Sequence, residues 1–178
     1  MRSTRCIASL LIIWAMVASS PLHRGGQRPH PSATTEQVRA LLTPEEWRLV
    51  EKHRGPVKRV RKLLRIAETR LQQAQHLIAQ QLVGRAATKV AQYTTIISYS
   101  LTFIEGLPSK HRKKRRNAYK EFDVRVREQL YLLQQLKREF PVGNETIEEA
   151  LFTAERLRII ALNRFSGAEI IKVPEKHP

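Results

Sequence analysis

A long helical repeat of apolar residues dominates the middle of the chain, from Val57 to Ile104. Apolar side chains recur there at spacings of three and four, which puts them on one face of a helix. The first half of the repeat is Val57, Val60, Leu64, Ala67, Leu71, Ala74 and Ile78. After Gly84 the pattern resumes on a different phase, at Ala87, Val90, Thr94, Ile97, Leu101 and Ile104. The two halves therefore do not form one continuous apolar face.

Gly84 determines how this stretch is expected to fold. If a helix ends near Val83 and Gly84 takes the position just after it, the chain reverses and the second half packs antiparallel on the first. The alternative is one continuous helix over residues 57–105, roughly 70 Å long, whose exposed glycine costs about 1 kcal/mol. The change of phase favours the hairpin.

A short helix is predicted over residues 44–53. Thr43 and Glu46 have the spacing of a capping box, and Pro44 occupies the first helical position, where its missing N–H costs nothing. The helix must end before Gly55, because a proline follows and disfavours helical backbone in the residue before it.

Two further long helices follow residue 108. The first is predicted over 110–140, with the polar Gln129 on its buried stripe and a proline ending it at position 141. The second is predicted over 146–165, capped by Asn144 or Thr146.

The composition favours an all-α fold, because aromatic residues make up only 6% of the chain and helix formers dominate its middle. Short connections between long helices are typical of antiparallel neighbours. The prediction is an up-down antiparallel four-helix bundle with long helices at about 57–83, 86–105, 110–140 and 146–165, preceded by the short helix. The alternative is a three-helix bundle in which one continuous helix spans 57–105.

The N-terminus has the pattern of a secretory signal peptide over residues 1–19. Arg2 and Arg5 precede an uncharged apolar run at 6–18. That run spans roughly 20 Å as a helix, which is short of the roughly 30 Å hydrocarbon core of a bilayer. We therefore expect cleavage before Ser20 and an exported protein, periplasmic or secreted. The alternative is an uncleaved segment that anchors the protein to a membrane.

The rest of the chain divides into three parts by composition. Residues 20–42 are rich in proline and glycine and are predicted to be a disordered linker. A helical bundle domain is expected over 43–167, with termination at a glycine, and a C-terminal tail over 168–178. Cys6 is the only cysteine, so a cleaved chain has no thiol for a disulfide or a metal–thiolate site.

Positive charge is concentrated at the starts of two of the long helices. The chain has a formal net charge of +16. One cluster, without any acid, comprises Lys52, Arg54, Lys58, Arg59, Arg61, Lys62 and Arg65, and the other comprises Lys110, Arg112, Lys113, Lys114, Arg115 and Arg116. Cations at a helix N-terminus oppose the helix dipole and repel one another, so helix stability does not explain them. In the four-helix bundle both clusters would lie at one end, and Glu139, Glu145, Glu148 and Glu149 at the other.

This charge pattern leads to the first functional hypothesis, a non-catalytic envelope protein that binds anionic lipid head groups or a phosphate-bearing polymer. The candidate anion-binding residues are Lys58, Arg59, Arg61, Lys62, Arg65, Lys110, Arg112, Lys113, Lys114, Arg115 and Arg116. A second hypothesis is a structural module whose apolar stripes bind a protein partner or a second copy of the chain. A third, nucleic-acid binding, applies only if the protein is not exported.

Enzymatic and cofactor-dependent functions are not expected. The six histidines do not form Glu-x-x-His, His-Glu-x-x-His or Cys-x-x-Cys-His patterns, which di-iron, zinc and haem sites use. His76 is the only one within a predicted long helix, where a surface role is the ordinary one. We therefore expect no catalytic residue, metal ligand or cofactor.

Overall fold

A computed structural model describes residues 33–175, which contain six α-helices and no strand. The predicted signal peptide and the first part of the predicted linker lie outside these residues. The helices are α1 (Thr35–Leu41), α2 (Pro44–Glu51), α3 (Pro56–Ala79), α4 (Val83–Glu105), α5 (Arg112–Glu139) and α6 (Glu145–Ser166). A single 3₁₀ turn, Ser109–His111, leads into α5. Among the described helices, none combines the length and the apolarity needed to span a bilayer.

The helices pack against one another around a single apolar core, which confirms the all-α prediction. The largest contacts join α3 to α4, α5 to α6, α3 to α5 and α4 to α6. Most of the predicted stripe residues are buried, and the largest fully buried side chains include Phe122, Leu64, Leu71, Ile97, Leu101 and Leu133. The apolar stripes are thus used largely within the chain itself.

The chain reverses between α3 and α4, so the alternative of a continuous helix over 57–105 is wrong. The turn differs from the predicted one, because the left-handed residue is Gln81, with φ of +62°, and Gly84 is the second residue of α4. Leu82 N donates to the carbonyl of Leu77 at 2.9 Å and Gln81 N to that of Ile78 at 2.8 Å. These two bonds are the Schellman pattern that closes a helix C-terminus. The predicted ending near Val83 was therefore too late.

Helix α1 lies inside the predicted linker, so the prediction of disorder is wrong for residues 35–41. Thr34 and Gln37 form a capping box, with Thr34 N donating to Gln37 Oε1 at 2.9 Å. Val38 and Leu42 are buried, and the helix packs on α4. Seven residues with so few apolar side chains give no helical period, which is why the pattern did not reveal the helix.

The predicted capping of α2 is confirmed. Glu46 N donates to Thr43 Oγ1 at 3.1 Å, and Thr43 N donates to Glu46 Oε2 at 2.9 Å. The same carboxylate oxygen accepts a hydrogen bond from Arg70 Nη2 at 2.7 Å, and Arg70 is only 5% exposed. Burial tends to raise the pKa of Glu46, but its hydrogen bonds with Arg70 and Thr43 outweigh that effect and lower it.

Helices α5 and α6 begin and end within two residues of their predicted bounds. Asn144 rather than Thr146 caps α6, because Asn144 Oδ1 accepts hydrogen bonds from the backbone N–H groups of Thr146 and Ile147. Gly167 follows α6 with φ of +81°, as its predicted role in terminating this helix requires. Pro141 likewise follows the end of α5.

A buried amide connects α5 to α3. Gln129 is 1% exposed, and its Nε2 donates to the carbonyl of Leu64 at 2.8 Å. Nearer the helix starts, Arg61 of α3 pairs with Glu121 of α5. Residue 61 pairs with residue 121, and residue 64 pairs with residue 129. Because the residue number increases in both helices from one pair to the next, α3 and α5 run in the same direction.

Replacing Gly84 by alanine tests the position of the turn. An added Cβ meets no atom within 4 Å, and the residue has helical backbone, so Gly84→Ala should raise the free energy of unfolding by about 0.5 kcal/mol. Gly167→Ala is the control, and it should lower that energy by about 1 kcal/mol because its φ is positive. Urea denaturation measures both. If Gly84→Ala were destabilised instead, the left-handed residue of the turn would be Gly84 and not Gln81.

Replacing Glu46 by glutamine tests the link between α2 and α3. The change removes the partner of a buried guanidinium and weakens the cap, so it should cost about 2–3 kcal/mol at pH 7. The lowered pKa of Glu46 stabilises the fold above the carboxyl's ordinary pKa, and this contribution disappears as the pH falls through the folded value. The difference between the variant and the parent should therefore shrink below about pH 4. Glu45→Gln, an exposed change in the same turn, is the control and should have little effect.

Candidate anion-binding end

The two basic clusters stand at helix starts that lack acidic capping. Helix α3 begins after Gly55 and α5 begins after His111, and neither preceding residue makes a side-chain capping hydrogen bond. The first turns of both helices contain no acid. The positive ends of two helix dipoles and two groups of cations therefore add together.

Three residues of the first cluster and one of the second line a single depression of about 500 Å³. Lys114, from the start of α5, shares its lining with Lys58 of α3. The remaining lining residues come from the connection between α2 and α3 and the start of α3: Lys52, His53, Arg54, Gly55, Pro56 and Val57. We call the surface formed by the two clusters and this depression the basic end.

Arg61 and Glu121 form the main ion pair between the two helix starts. Arg61 Nε and Nη2 donate to the two carboxylate oxygens of Glu121 at 2.7 and 2.9 Å. Arg125 approaches the same carboxylate at 3.5 Å. The hydrogen bonds from Arg61 are the largest effect on the pKa of Glu121 and hold it below its usual value, and the same contact raises the pKa of Arg61. Arg61 is thus a predicted site residue whose charge is already compensated.

Two other predicted site residues hold neighbouring helices together. Arg59 Nε donates to the carbonyl of Val50 at 3.4 Å, and its guanidinium lies 5.6 Å from the ring centre of Phe103 on α4. Arg116 Nε donates to the carbonyl of Phe165 at 3.1 Å, with its guanidinium 5.0 Å from that residue's ring centre. Such cation–π contacts contribute to packing, and the side chains keep their positive charge.

The remaining predicted site residues carry charge that no carboxylate neutralises. In the stretch from 33 to 175, no acidic oxygen lies within 4.0 Å of these eight cations: Lys58, Lys62, Arg65, Lys110, Arg112, Lys113, Lys114 and Arg115. Of these eight, only Lys58 and Lys114 line the depression. Arg65 lies farthest from the start of α3, about 13 Å along the helix axis.

Three basic or titratable residues that line the depression, Lys52, His53 and Arg54, were not among the predicted site residues. Lys52 and Arg54 were assigned to the first cluster but not to the predicted site, and His53 was assigned no role. The available signal was the Gly55-Pro56 pair, which ends α2 and turns the residues before it toward α3. No sequence pattern indicated the cation–π contacts of Phe103 and Phe165, because each contact joins residues more than 40 positions apart.

Acidic residues gather where α5 passes into α6. Glu139 ends α5, Glu145 begins α6, and both are exposed. Glu148 is in the first turn of α6 and pairs with Lys137 at 2.8 Å. Since α5 has 28 residues, these acids lie about 40 Å from its basic start.

A second depression, of about 440 Å³, lies beside the turn between α3 and α4. His76, Arg85 and Lys89 contribute to its lining, and His76 forms a 2.9 Å hydrogen bond with Gln80. Over the described residues, no three or more His, Cys, Asp or Glu side chains are grouped as metal ligands would be.

Comparison with known proteins finds no match for this chain among protein-family models, curated proteins or solved structures. The surface feature available for a functional inference is therefore the concentration of unpaired cations at the basic end. Positive charge at this density attracts anions, and the attraction is strongest where low ionic strength leaves it unscreened.

A double-mutant cycle on Arg61 and Glu121 measures how much their pair contributes to the fold. Both side chains are partly exposed, so the coupling free energy should be about 0.5–1 kcal/mol at pH 7. It should vanish as the pH falls through the lowered pKa of Glu121. Unfolding of Arg61→Met, Glu121→Gln and the double variant gives this value. A coupling energy above about 3 kcal/mol would mean that the pair behaves as a buried one.

Proposed function

We propose that this protein is an exported, non-catalytic helical protein that binds an anionic envelope component through its basic end. The ligand chemistry is a set of closely spaced phosphate groups, from lipid head groups or from a phosphate-bearing polymer. The observation that carries the proposal is the depression in which Lys114 lies with Lys52, Arg54 and Lys58, because none of these four cations has a carboxylate partner among the described residues.

We further propose that α3 to α6 form an up-down four-helix bundle that holds this site together. Three contacts support the alternating directions. Arg59 near the start of α3 meets Phe103 near the end of α4, and Arg116 near the start of α5 meets Phe165 near the end of α6. The pair of Arg61 with Glu121 places the starts of α3 and α5 side by side.

Unpaired lysines and arginines suit phosphate ligands for two reasons. Each cation that approaches a phosphate gains charge-assisted hydrogen bonds, and each contact with a dense polyanion also releases a condensed counterion. The second effect makes affinity fall as salt concentration rises. Compensation by acids would remove both gains, so the lack of acidic partners favours ligand binding over a structural role for these residues.

The alternative function, protein association through the apolar stripes, has less support. Stripe residues such as Val60, Ala67, Val126 and Leu133 are fully buried within the chain, which leaves little of that surface for a partner. Nucleic-acid binding would use the same cations, and we propose it only for a protein that is not exported. The prediction of export depends on residues 1–19, outside the described part of the chain.

The experiment compares two double variants that each remove two positive charges. Lys113→Gln with Lys114→Gln changes the basic end, and Arg85→Gln with Lys89→Gln changes the second depression near the start of α4. The first should weaken binding to inorganic polyphosphate or to anionic vesicles about tenfold or more. It should also reduce the slope of log affinity against log salt concentration by the contribution of about two phosphate contacts. The control should change both quantities little.

Equal losses in the two double variants would contradict a localised site and would indicate attraction by net charge alone. Binding that hardly changes between low salt and about 0.5 M salt would contradict the proposal and favour association through apolar surfaces. Isothermal titration or sedimentation at several salt concentrations gives the required affinities.

A further inference from the structure

An exposed pair of isoleucines follows α6. Ile170 is 60% exposed and Ile171 is 38% exposed. The other exposed large apolar side chains among residues 33–175 are Leu49, Leu82, Tyr131 and Val142, and no two of these are neighbours in the sequence. Single exposed apolar residues are ordinary on protein surfaces, whereas two in succession concentrate exposed apolar side chains in one short segment.

The segment that carries this pair is held against α6. Asn163 Nδ2 donates to the carbonyl of Ile171 at 2.7 Å. The backbone N–H groups of Ile170 and Ile171 donate to Asn163 Oδ1 at 3.0 and 3.2 Å. Ser166 Oγ adds a hydrogen bond to the carbonyl of Ala168 at 2.9 Å. Hydrogen bonds between the Asn163 and Ser166 side chains and the backbone thus fix the segment, while both isoleucine side chains remain exposed.

The same turn of α6 also contacts the basic end. Arg116 donates to the carbonyl of Phe165 and lies over its ring, and Phe165 is two residues from Asn163. The exposed segment contributes Lys172 beside the isoleucines and one acid, Glu169, before them. The segment that carries the isoleucines is therefore linked through the end of α6 to Arg116, one of the cations of the basic end.

We propose that the basic end docks on the surface of an anionic lipid membrane, with Ile170 and Ile171 entering the boundary between head groups and acyl chains. This inference rests on the proposed function and chooses one of its two ligand sources. A hydrated polymer offers phosphates but no apolar phase, whereas a membrane offers both next to each other. Charge attraction brings the surface to the membrane, and the isoleucine pair adds a component that salt does not screen.

The test compares two ligands and removes the apolar pair. The ligands are vesicles of phosphatidylcholine with about one third phosphatidylglycerol, and inorganic polyphosphate. The double variant Ile170→Ser with Ile171→Ser should bind these vesicles about tenfold more weakly and polyphosphate equally well, because only the membrane accepts the apolar side chains. Val142→Ser is the matched control, since Val142 is fully exposed at the connection between α5 and α6, and it should leave both affinities unchanged.

A fluorescence measurement locates the pair directly. In Ile170→Trp, the introduced indole should shift its emission to the blue on binding these vesicles and should be quenched by lipids brominated on their acyl chains. Val142→Trp should show neither change. Circular dichroism and the melting temperature verify that each variant is folded.

Two failures are distinguishable. If the serine variant binds vesicles as well as the parent, or if the indole at position 170 stays in water, membrane insertion is overturned while anion binding stands. If Lys113→Gln with Lys114→Gln leaves binding to both ligands unchanged, the proposed function and this inference are both overturned.

Discussion

The contact between α3 and α5 is the constraint on which the rest of the arrangement depends. Its centre is a hydrogen bond in the core, from the amide of Gln129 to the carbonyl of Leu64. If the helices shifted, the buried amide of Gln129 would lose this acceptor without regaining hydrogen bonds to water, which is energetically unfavourable. The hydrogen bond therefore holds the two helices in one register. That register places the starts of both helices side by side and joins two groups of cations that are about fifty residues apart in sequence. The pair of Arg61 with Glu121 compensates only a small part of the resulting repulsion.

A second constraint joins the short helices to the long ones. The carboxylate of Glu46 both caps α2 and pairs with Arg70, a guanidinium that α3 places in the interior. Arg70 cannot be buried at low cost without this partner, and α2 in turn ends beside the depression. Lys52, His53 and Arg54 therefore take their positions from an ion pair that lies elsewhere in the fold.

The parts that sequence predicted well are those set by neighbouring residues. The capping box of Thr43 and Glu46, the glycine at position 167 and the period of the stripes each depend on a few positions in the chain, and the structure has them as expected. The reversal between α3 and α4 was predicted from the change of phase. Its exact turn was not, because Gln81 adopts a left-handed backbone in place of the glycine three residues later. Helix α1 gave too short a pattern to be recognised.

In the candidate site too, the features set by neighbouring residues were predictable and those set by contacts between helices were not. The positions of the cations along the sequence identified the two clusters, but the partners of these cations depend on the three-dimensional arrangement. Nothing local distinguishes Arg61, which is paired with Glu121, from Lys58, which is unpaired. The aromatic contacts of Arg59 and Arg116 and the attachment of Ile170 and Ile171 to Asn163 likewise join separate elements. The distribution of charge was thus predictable, whereas the identity of the uncompensated charges was not.

Crowding so many uncompensated cations at one end has a thermodynamic consequence. Their mutual repulsion is present in the folded chain and diminishes when the chain expands, so it reduces the resistance of the protein to heat. A multivalent anion bound between α3 and α5 would reduce that penalty and would stabilise the folded state to the extent that it binds the folded chain more tightly than the unfolded one. The temperature at which this protein melts should therefore report how fully its positive surface is occupied.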